Sequence, residues 1–274
     1  MRCFHVPKTV DNDLMESDHT PGYPSAARFV ATAFMADARD NASLPGIKVN
    51  VVMGRHAGFL TAAAALARRE ENDGPHLVYL PEVPFDTDRF VSDVERVYSR
   101  LGRCQIAVSE GIADAAGVSI GAKLIGGGER DAHGNVQLSG SGALGDQLSS
   151  LIKTALTPTG GTPPRVRADT FGYLQRCWPD ASPVDAIEAR EVGRFAAGLA
   201  GEGHADGSIA IVRTGSGVGG EPYASAYKPI EFKAVAGKTR HMPEEFIDGT
   251  SDVSSAFIDY CRPLVGELPR FASF

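Results

Sequence analysis

The chain has 274 residues, 43% of them hydrophobic and 22% charged, with a formal net charge of −7. That balance describes a folded protein long enough for two domains, and it argues against nucleic acid or an anionic membrane as a partner. No run reaches the roughly 20 apolar residues of a membrane span, no signal peptide opens the chain, and Cys3, Cys104, Cys177 and Cys261 show neither CxxC nor zinc spacing, so reduced thiols in a cytoplasmic protein are expected.

Residues 3–10 read as a short buried strand that runs into Pro7-Lys8-Thr9-Val10-Asp11-Asn12-Asp13. Taken alone, this stretch reads better as a surface turn, because Pro, Asn and Asp all favour turns. A turn-rich loop over 16–24 follows, then a helix over 26–41 with Ser25 as its N-cap. Alternating residues 47–53 predict a strand that ends in Gly54-Arg55-His56-Ala57-Gly58, followed by an alanine-rich helix over 59–69. Strands are expected at 76–80 and 105–111, separated by an amphipathic helix beginning at Asp88. Strands alternating with helices in this way predict a parallel, doubly wound sheet. Between 118 and 142 the pattern breaks, and Gly126-Gly127-Gly128 and Asp131-Ala132-His133-Gly134-Asn135 read as turns. A helix over 144–156, a linker over 157–164, a strand over 166–174 and a helix over 184–199 come next, the last starting at Ser182-Pro183. Strands over 208–213 and 227–235 and a helix over 252–261 complete the chain.

Several of these strand ends carry unusual polar groups: Lys8, Asp11 and Asp13; Met53-Gly54-Arg55; Glu110; and Arg167 with Arg176. In open α/β sheets the carboxyl ends of the strands form the ligand crevice. Carboxylates and cations gathered there suit phosphoryl transfer, in which a carboxylate accepts the proton of an attacking hydroxyl and cations hold phosphate oxygens. The blander readings are caps and solvated turns. The remaining histidines, His19 among them, read as surface or loop residues, and only His56 lies inside a strand-end loop of this set. Gly215 to Gly220 imitates a phosphate loop without a helix after it, so a surface loop is expected. Lys238 to Pro243 reads as a solvated turn or as a basic segment reaching a phosphate, and Asp146 and Lys153 as a solvated helix face.

Pro7-Lys8-Thr9-Val10-Asp11-Asn12-Asp13 resembles the PKTxDND signature of phosphofructokinases, and Met53-Gly54-Arg55-His56-Ala57-Gly58 resembles their MGRxAG motif. Pro81-Glu82, Ser109-Glu110-Gly111 and Gly172-Tyr173-Leu174-Gln175-Arg176 follow in that family's order, and the resemblance covers about residues 6–193. It implies an α/β fold of two doubly wound domains. Residues 1–15 and 169–240 would belong to the phosphoryl-donor domain, and 16–168 to the fructose 6-phosphate domain, with 241–274 packing back across both. The implied reaction is transfer of phosphoryl to the 1-hydroxyl of fructose 6-phosphate with Mg²⁺, in a homodimer or homotetramer. By resemblance, Asp11 is the general base, and Asp13 is the second carboxylate, toward the metal. Thr9 lies near the transferred phosphoryl, and Met53, Gly54 and Arg55 form the sugar-proximal loop. Glu110 receives sugar hydroxyls, and Arg167, Tyr173 and Arg176 lie at the 6-phosphate. Lys8 is similar to the pyrophosphate-dependent branch, with ATP as the alternative donor. A non-catalytic sugar-phosphate-binding subunit is a further alternative.

The chain departs from the family pattern in three places. Tyr173 stands where many relatives have histidine. Gly46 stands where many have an arginine contributed to a neighbouring subunit, and Lys48 is a candidate substitute for it. Relatives also place about a hundred or more residues, one small domain, before the PKTxDND motif. The expectation is therefore a first domain that is incomplete, and no turnover by these 274 residues alone.

Overall fold

A computed structural model of the chain describes residues 3–125 and 142–270. Strand β1 (Phe4–His5) is followed by helix α1 (Tyr23–Ser43), β2 (Ile47–Val52) and a short α2 (Phe59–Ala62), which tightens into a 3₁₀ turn at Ala63–Ala67. Next come β3 (Leu77–Tyr79), α3 (Thr87–Leu101), β4 (Cys104–Ser109), α4 (Ile120–Ile125), α5 (Ala143–Leu156) and β5 (Val166–Thr170). A 3₁₀ turn at Gly172–Arg176 leads to α6 (Pro183–Glu202), β6 (Gly207–Ser216), β7 (Tyr223–Ile230) and α7 (Phe232–Val235). A 3₁₀ turn at Glu244–Phe246, a small hairpin of β8 (Ile247–Asp248) and β9 (Asp252–Val253), and α8 (Ser255–Val265) end the described chain.

The central sheet has the order β3-β4-β2-β5, with every pair parallel. All six residues of β2 and all six of β4 are buried, as a sheet covered on both faces requires. Ile47, Val49 and Val51 face α3 and α5, packing with Phe90, Val94, Leu148 and Ile152. Val52 faces the other way, into a core shared with Tyr23, Val30 and Phe34 of α1 and Phe257, Tyr260 and Leu264 of α8. Each fully buried aliphatic or aromatic side chain contributes about 1.5–3 kcal/mol, so these two layers dominate the fold's stability. A second sheet, β1-β6-β7, joins β1 parallel to β6, with β7 antiparallel on its other side. Val192, Ala196 and Leu199 of α6 pack on Ile209 and Ile211 of β6.

Several expected boundaries move. The strand expected over 3–10 is only Phe4–His5. Pro7 has no N–H to extend the ladder, Val6 is 43% exposed, and the next backbone bridge is the isolated one between Thr9 and Gly22. The strand expected over 166–174 stops at Thr170. Beyond it, Gln175 Nε2 donates to the Gly172 carbonyl at 2.9 Å and closes a helical turn. Helix α1 begins at Tyr23 with Gly22 as its N-cap, so Ser25 lies inside the helix. The helix expected over 252–261 begins at Ser255, because Asp252 and Val253 pair with β8. The strand expected over 227–235 is β7 and gives way to α7, while Ser216 to Gly220 form the hairpin turn between β6 and β7. Asp146 and Lys153 are exposed on α5, as expected. The turns expected at Gly126–Gly128 and Asp131–Asn135 lie outside the described residues.

Candidate active site

The acidic stretch sits on a loop with an unusual backbone. Asn12 has a positive φ of 61°, in the left-handed region that asparagine tolerates better than most residues. Its side chain is fully buried. Nδ2 donates to the Tyr260 hydroxyl at 2.8 Å, and Oδ1 accepts from the Thr20 N–H at 3.1 Å. The Thr20 hydroxyl donates to the Thr9 carbonyl at 2.7 Å, and the Thr9 hydroxyl accepts from the Asp11 N–H at 3.1 Å. The Arg240 N–H donates to the Asp13 carbonyl at 2.8 Å. The buried amide thus anchors the turn while the acids on either side of it remain half-buried.

The ends of β2 and β4 meet this turn. Glu110 follows β4, is 4% exposed, and donates its N–H to the Val52 carbonyl at 2.9 Å. The Ser109 hydroxyl donates to the Gly54 carbonyl at 2.6 Å, and the Met53 N–H donates to Gln175 Oε1 at 3.2 Å. Gly58 and Met242 both donate N–H groups to Glu82 Oε1 at 2.9 Å, tying the loop after β2 to the segment before β8. Gly111 is required by close approach, since a Cβ there would lie 2.1 Å from the Arg55 carbonyl oxygen. Gly111→Ala should therefore displace the Arg55 loop and cost more than about 2 kcal/mol. Urea unfolding would read the cost, and a midpoint within error of the parent would refute the tight fit.

Four of the residues expected at the site act electrostatically on a fifth, Asp11. Burial pushes the Asp11 carboxyl up, the negative charges of Asp13 and Glu110 push it further, and Arg55 and Arg176 pull it back. The net result is a rise from 3.8 to about 6. A carboxylate held near neutrality is suited to proton transfer. The Arg176 guanidinium stacks over the Tyr173 ring at 4.3 Å, with Tyr173 52% exposed. Lys8 is exposed just before the turn, Met53 and Gly54 are buried, and Arg55 and Thr9 are half-buried.

Arg167 does not join this group. Its partner in β2 is Lys48, one residue from the start of that strand, whereas Met53 and Glu110 lie beyond the opposite end. Arg167 pairs with Asp40 at 3.5 Å. Lys48 is 5% exposed, hydrogen-bonded to Asp37 and 2.5 Å from Asp40, so it is committed within its own chain and is a poor substitute for the missing arginine. His56 is exposed and offers its carbonyl to His241.

Mg²⁺ takes oxygen ligands and is commonly held by one or two carboxylates together with substrate phosphates. Among the described residues no group of three or more His, Cys, Asp or Glu side chains forms a metal cage. Asp11 Oδ1 is buried without a hydrogen-bond partner, and Asp13 is close enough to raise the Asp11 pKa. A neighbouring pair of carboxylates, one of them with an unpartnered buried oxygen, fits a Mg²⁺ that is completed by phosphate.

The sequence reading missed the residues that support this site. His19 is 1% exposed rather than a surface residue. Arg240, read as a solvated turn or a phosphate contact, lies beneath the site. Its Nη1 donates to the Asp18 carbonyl at 2.6 Å, and its guanidinium lies 4.7 Å from the Phe59 ring centre. Asp185 and Glu188 of α6 also contact the 17–25 segment. No local motif marks any of these residues, because their partners are distant in sequence.

Residues 1–200 match the family profile described as phosphofructokinase. The chain is 55% identical over 268 residues to a pyrophosphate–fructose 6-phosphate 1-phosphotransferase of Rhodospirillum rubrum, covering 97% of this chain and 64% of that relative. It is 38% identical over 272 residues to an enzyme of the same name from Halomonas elongata, covering 97% and 61%. The solved structure of a pyrophosphate-dependent phosphofructokinase from Marinobacter aquaeolei superposes with a TM-score of 0.79 at 28% identity, over 99% of this chain and 62% of that one.

Proposed function

The chain belongs to the phosphofructokinase family, and on that premise we propose that the protein transfers a phosphoryl group from pyrophosphate to the 1-hydroxyl of fructose 6-phosphate, giving fructose 1,6-bisphosphate. The chain spans under two thirds of its relatives' length, so the proposal concerns the protein at full length. The observation that carries it is Asp11, a carboxylate raised to about 6 among Asp13, Glu110, Arg55 and Arg176.

In this reading Asp11 accepts the proton of the 1-hydroxyl as that oxygen attacks phosphorus. Arg55 and Arg176 offset the charge gathered around Asp11, and Glu110 accepts hydrogen bonds from sugar hydroxyls. Met53 and Gly54 shape the floor beneath the sugar, and Tyr173 and Arg176 face its 6-phosphate. Thr9 lies beside the transferred group. Asp13 would hold Mg²⁺, which when bound neutralises phosphate oxygens. The central four-stranded sheet serves the sugar phosphate, and the β1-β6-β7 sheet serves the donor. Arg167, at the far end of the sheet, would serve the site of a second copy in a dimer or tetramer. Pyrophosphate has no nucleoside to grip, so the donor must be held by its phosphates, and the exposed ammonium of Lys8 suits that task.

A coupled assay of the full-length protein for fructose 1,6-bisphosphate with each donor tests the assignment. Turnover with pyrophosphate is expected, and Lys8→Gly should raise the KM for pyrophosphate about tenfold or more, the scale of one lost charged contact. Turnover with ATP alone would overturn the donor. No turnover with either, alongside retained sugar-phosphate binding, would favour a binding subunit.

A further inference from the structure

Behind the Asp11–Asp13 turn lies a buried ionic cluster to which the proposed chemistry gives no role. His19 Nδ1 is 2.8 Å from Asp18 Oδ2, and His19 Nε2 is 2.5 Å from Glu188 Oε2. A neutral imidazole has one N–H and one lone pair, so it would set that lone pair against a carboxylate at one of these contacts. Only the doubly protonated ring donates at both. Charge balance agrees. Arg213 reaches Asp18 through Nε and Nη2 at 3.1–3.3 Å, so with His19 charged two cations meet two carboxylates. With His19 neutral, a buried negative charge is left over, which is costly.

We infer that His19 is a positioning residue: as an imidazolium bridging Asp18 and Glu188, it holds the segment that locks Asn12, and through Asn12 the direction of the two flanking acids. Each link is a direct contact. The Asp18 carbonyl accepts from Tyr260 Oη at 2.7 Å, and the same hydroxyl accepts from Asn12. Thr20, the residue after His19, donates its N–H to Asn12 Oδ1. The Ser17 hydroxyl donates to the His19 carbonyl at 2.8 Å and accepts from the Ile211 N–H at 3.0 Å, pinning the loop to β6. The Tyr223 hydroxyl fixes the other oxygen of Glu188 at 2.7 Å.

The geometry gives the clamp a pH dependence. The titratable and charged groups around His19 are Asp18 beside it, Glu188 from α6, Arg213 from β6, Tyr223 from β7, Tyr260 from α8, and Arg240 on the Asp18 carbonyl. Burial works against the charged ring, but its hydrogen bonds and charge pairing with Asp18 and Glu188 raise its pKa above the ordinary histidine value. Both tyrosines are pushed up by burial and stay neutral. Burial also works against Asp18 and Glu188, yet their bonds to His19 keep both below the ordinary carboxylate range. A raised histidine pKa gives a contribution that is complete below the unfolded value and lost as pH rises through the folded one. The clamp therefore holds below the ordinary histidine value and loosens as pH rises through the raised, folded one.

The consequence for turnover rests on the proposed phosphotransferase activity, whereas the state of the clamp does not, so two measurements separate them. Nitrogen-15 NMR of the full-length protein at about pH 6.5, the ordinary histidine value, should show both His19 ring nitrogens predominantly protonated. A neutral tautomer there would overturn the inference. His19→Gln should lower kcat about 100-fold, the cost of a misplaced catalytic group, with the KM for fructose 6-phosphate within about twofold and the alkaline limb of the pH profile lost. Adding Glu188→Gln removes the unpaired carboxylate and should restore about tenfold of that loss. A His19→Gln protein with parental kcat and an unchanged alkaline limb would also overturn it. If the full-length parent turns nothing over, the phosphotransferase reading fails by itself. The NMR result, together with faster amide exchange over residues 9–14 in His19→Gln, then decides the clamp, and unchanged exchange there counts against it.

Discussion

Replacing Asp11 with asparagine should remove most turnover and, at the same time, stabilise the fold at neutral pH. The loss follows from chemistry. An amide cannot accept the hydroxyl proton, and a positioned general base contributes about 10²–10⁴-fold. Fructose 6-phosphate binding should change little, because the groups proposed to hold the sugar phosphate are elsewhere. The gain follows from burial. The carboxyl rises from 3.8 to about 6 through burial first, then through Asp13 and Glu110, with Arg55 and Arg176 opposing. A folded pKa above the unfolded one means the native state binds the proton more tightly. The ionised form is thus penalised in the fold, and the penalty grows as pH rises from the unfolded value through about 6. Each unit corresponds to about 1.4 kcal/mol, and partial exposure of Asp11 discounts the total, which leaves about 1–3 kcal/mol above pH 7. In Mg²⁺-free buffer, Asp11→Asn should therefore melt several degrees higher than the parent at pH 8 and at the same temperature near pH 3.5. A variant that retains turnover would remove Asp11 from the role of base. One that is inactive yet no more stable at pH 8 would show that the charge is solvated in the native state.

The α/β fold was legible because its signals are local. Ile47, Val49 and Val51 alternate with residues buried on the opposite face, and the strands at 77–79 and 104–109 are separated by an amphipathic helix. The acids and the Met53-Gly54-Arg55 loop were legible because they cluster at strand ends. Arg167 reads as a strand-end residue because 166–174 reads as one strand. With the strand ending at Thr170, Arg167 lies near its start and Arg176 beyond its end, in different parts of the molecule. His19, Arg240 and Asp185 could not be found in the same way. His19 meets Glu188 across 169 residues, and Asp185 meets Gly22 across 163. A lone histidine in a turn-rich loop carries no mark of a partner so distant in sequence.

Asp185 is the clearest of these cases, and Asp185→Ala should be the most destabilising single change outside the apolar core. Helix α1 has no acidic residue in its first turn and no side-chain cap of its own, so its first N–H groups need another acceptor. Asp185, in the first turn of α6 and 7% exposed, supplies it. Oδ1 accepts from the Gly22 N–H at 2.8 Å, and Oδ2 accepts from the Ser25 N–H at 3.2 Å and from the Ser25 hydroxyl. Ser25 in turn accepts from the Ser182 N–H at 3.1 Å, so the amino ends of α1 and α6 cap each other. A negative charge at a helix amino terminus is favourable, and hydrogen bonds to a charged group are worth about 1.5–3 kcal/mol each. Alanine would leave buried donors unpaired, so a loss of about 3–5 kcal/mol is expected. The exposed Asp146→Ala should stay within about 0.5 kcal/mol. Gly22 also bridges to Thr9, so amide exchange should rise over the acidic turn as well as at the start of α1. Urea unfolding of the two variants, with exchange measured over residues 9–25, provides the test. An Asp185→Ala protein within about 1 kcal/mol of the parent would mean that water satisfies the amino end of α1.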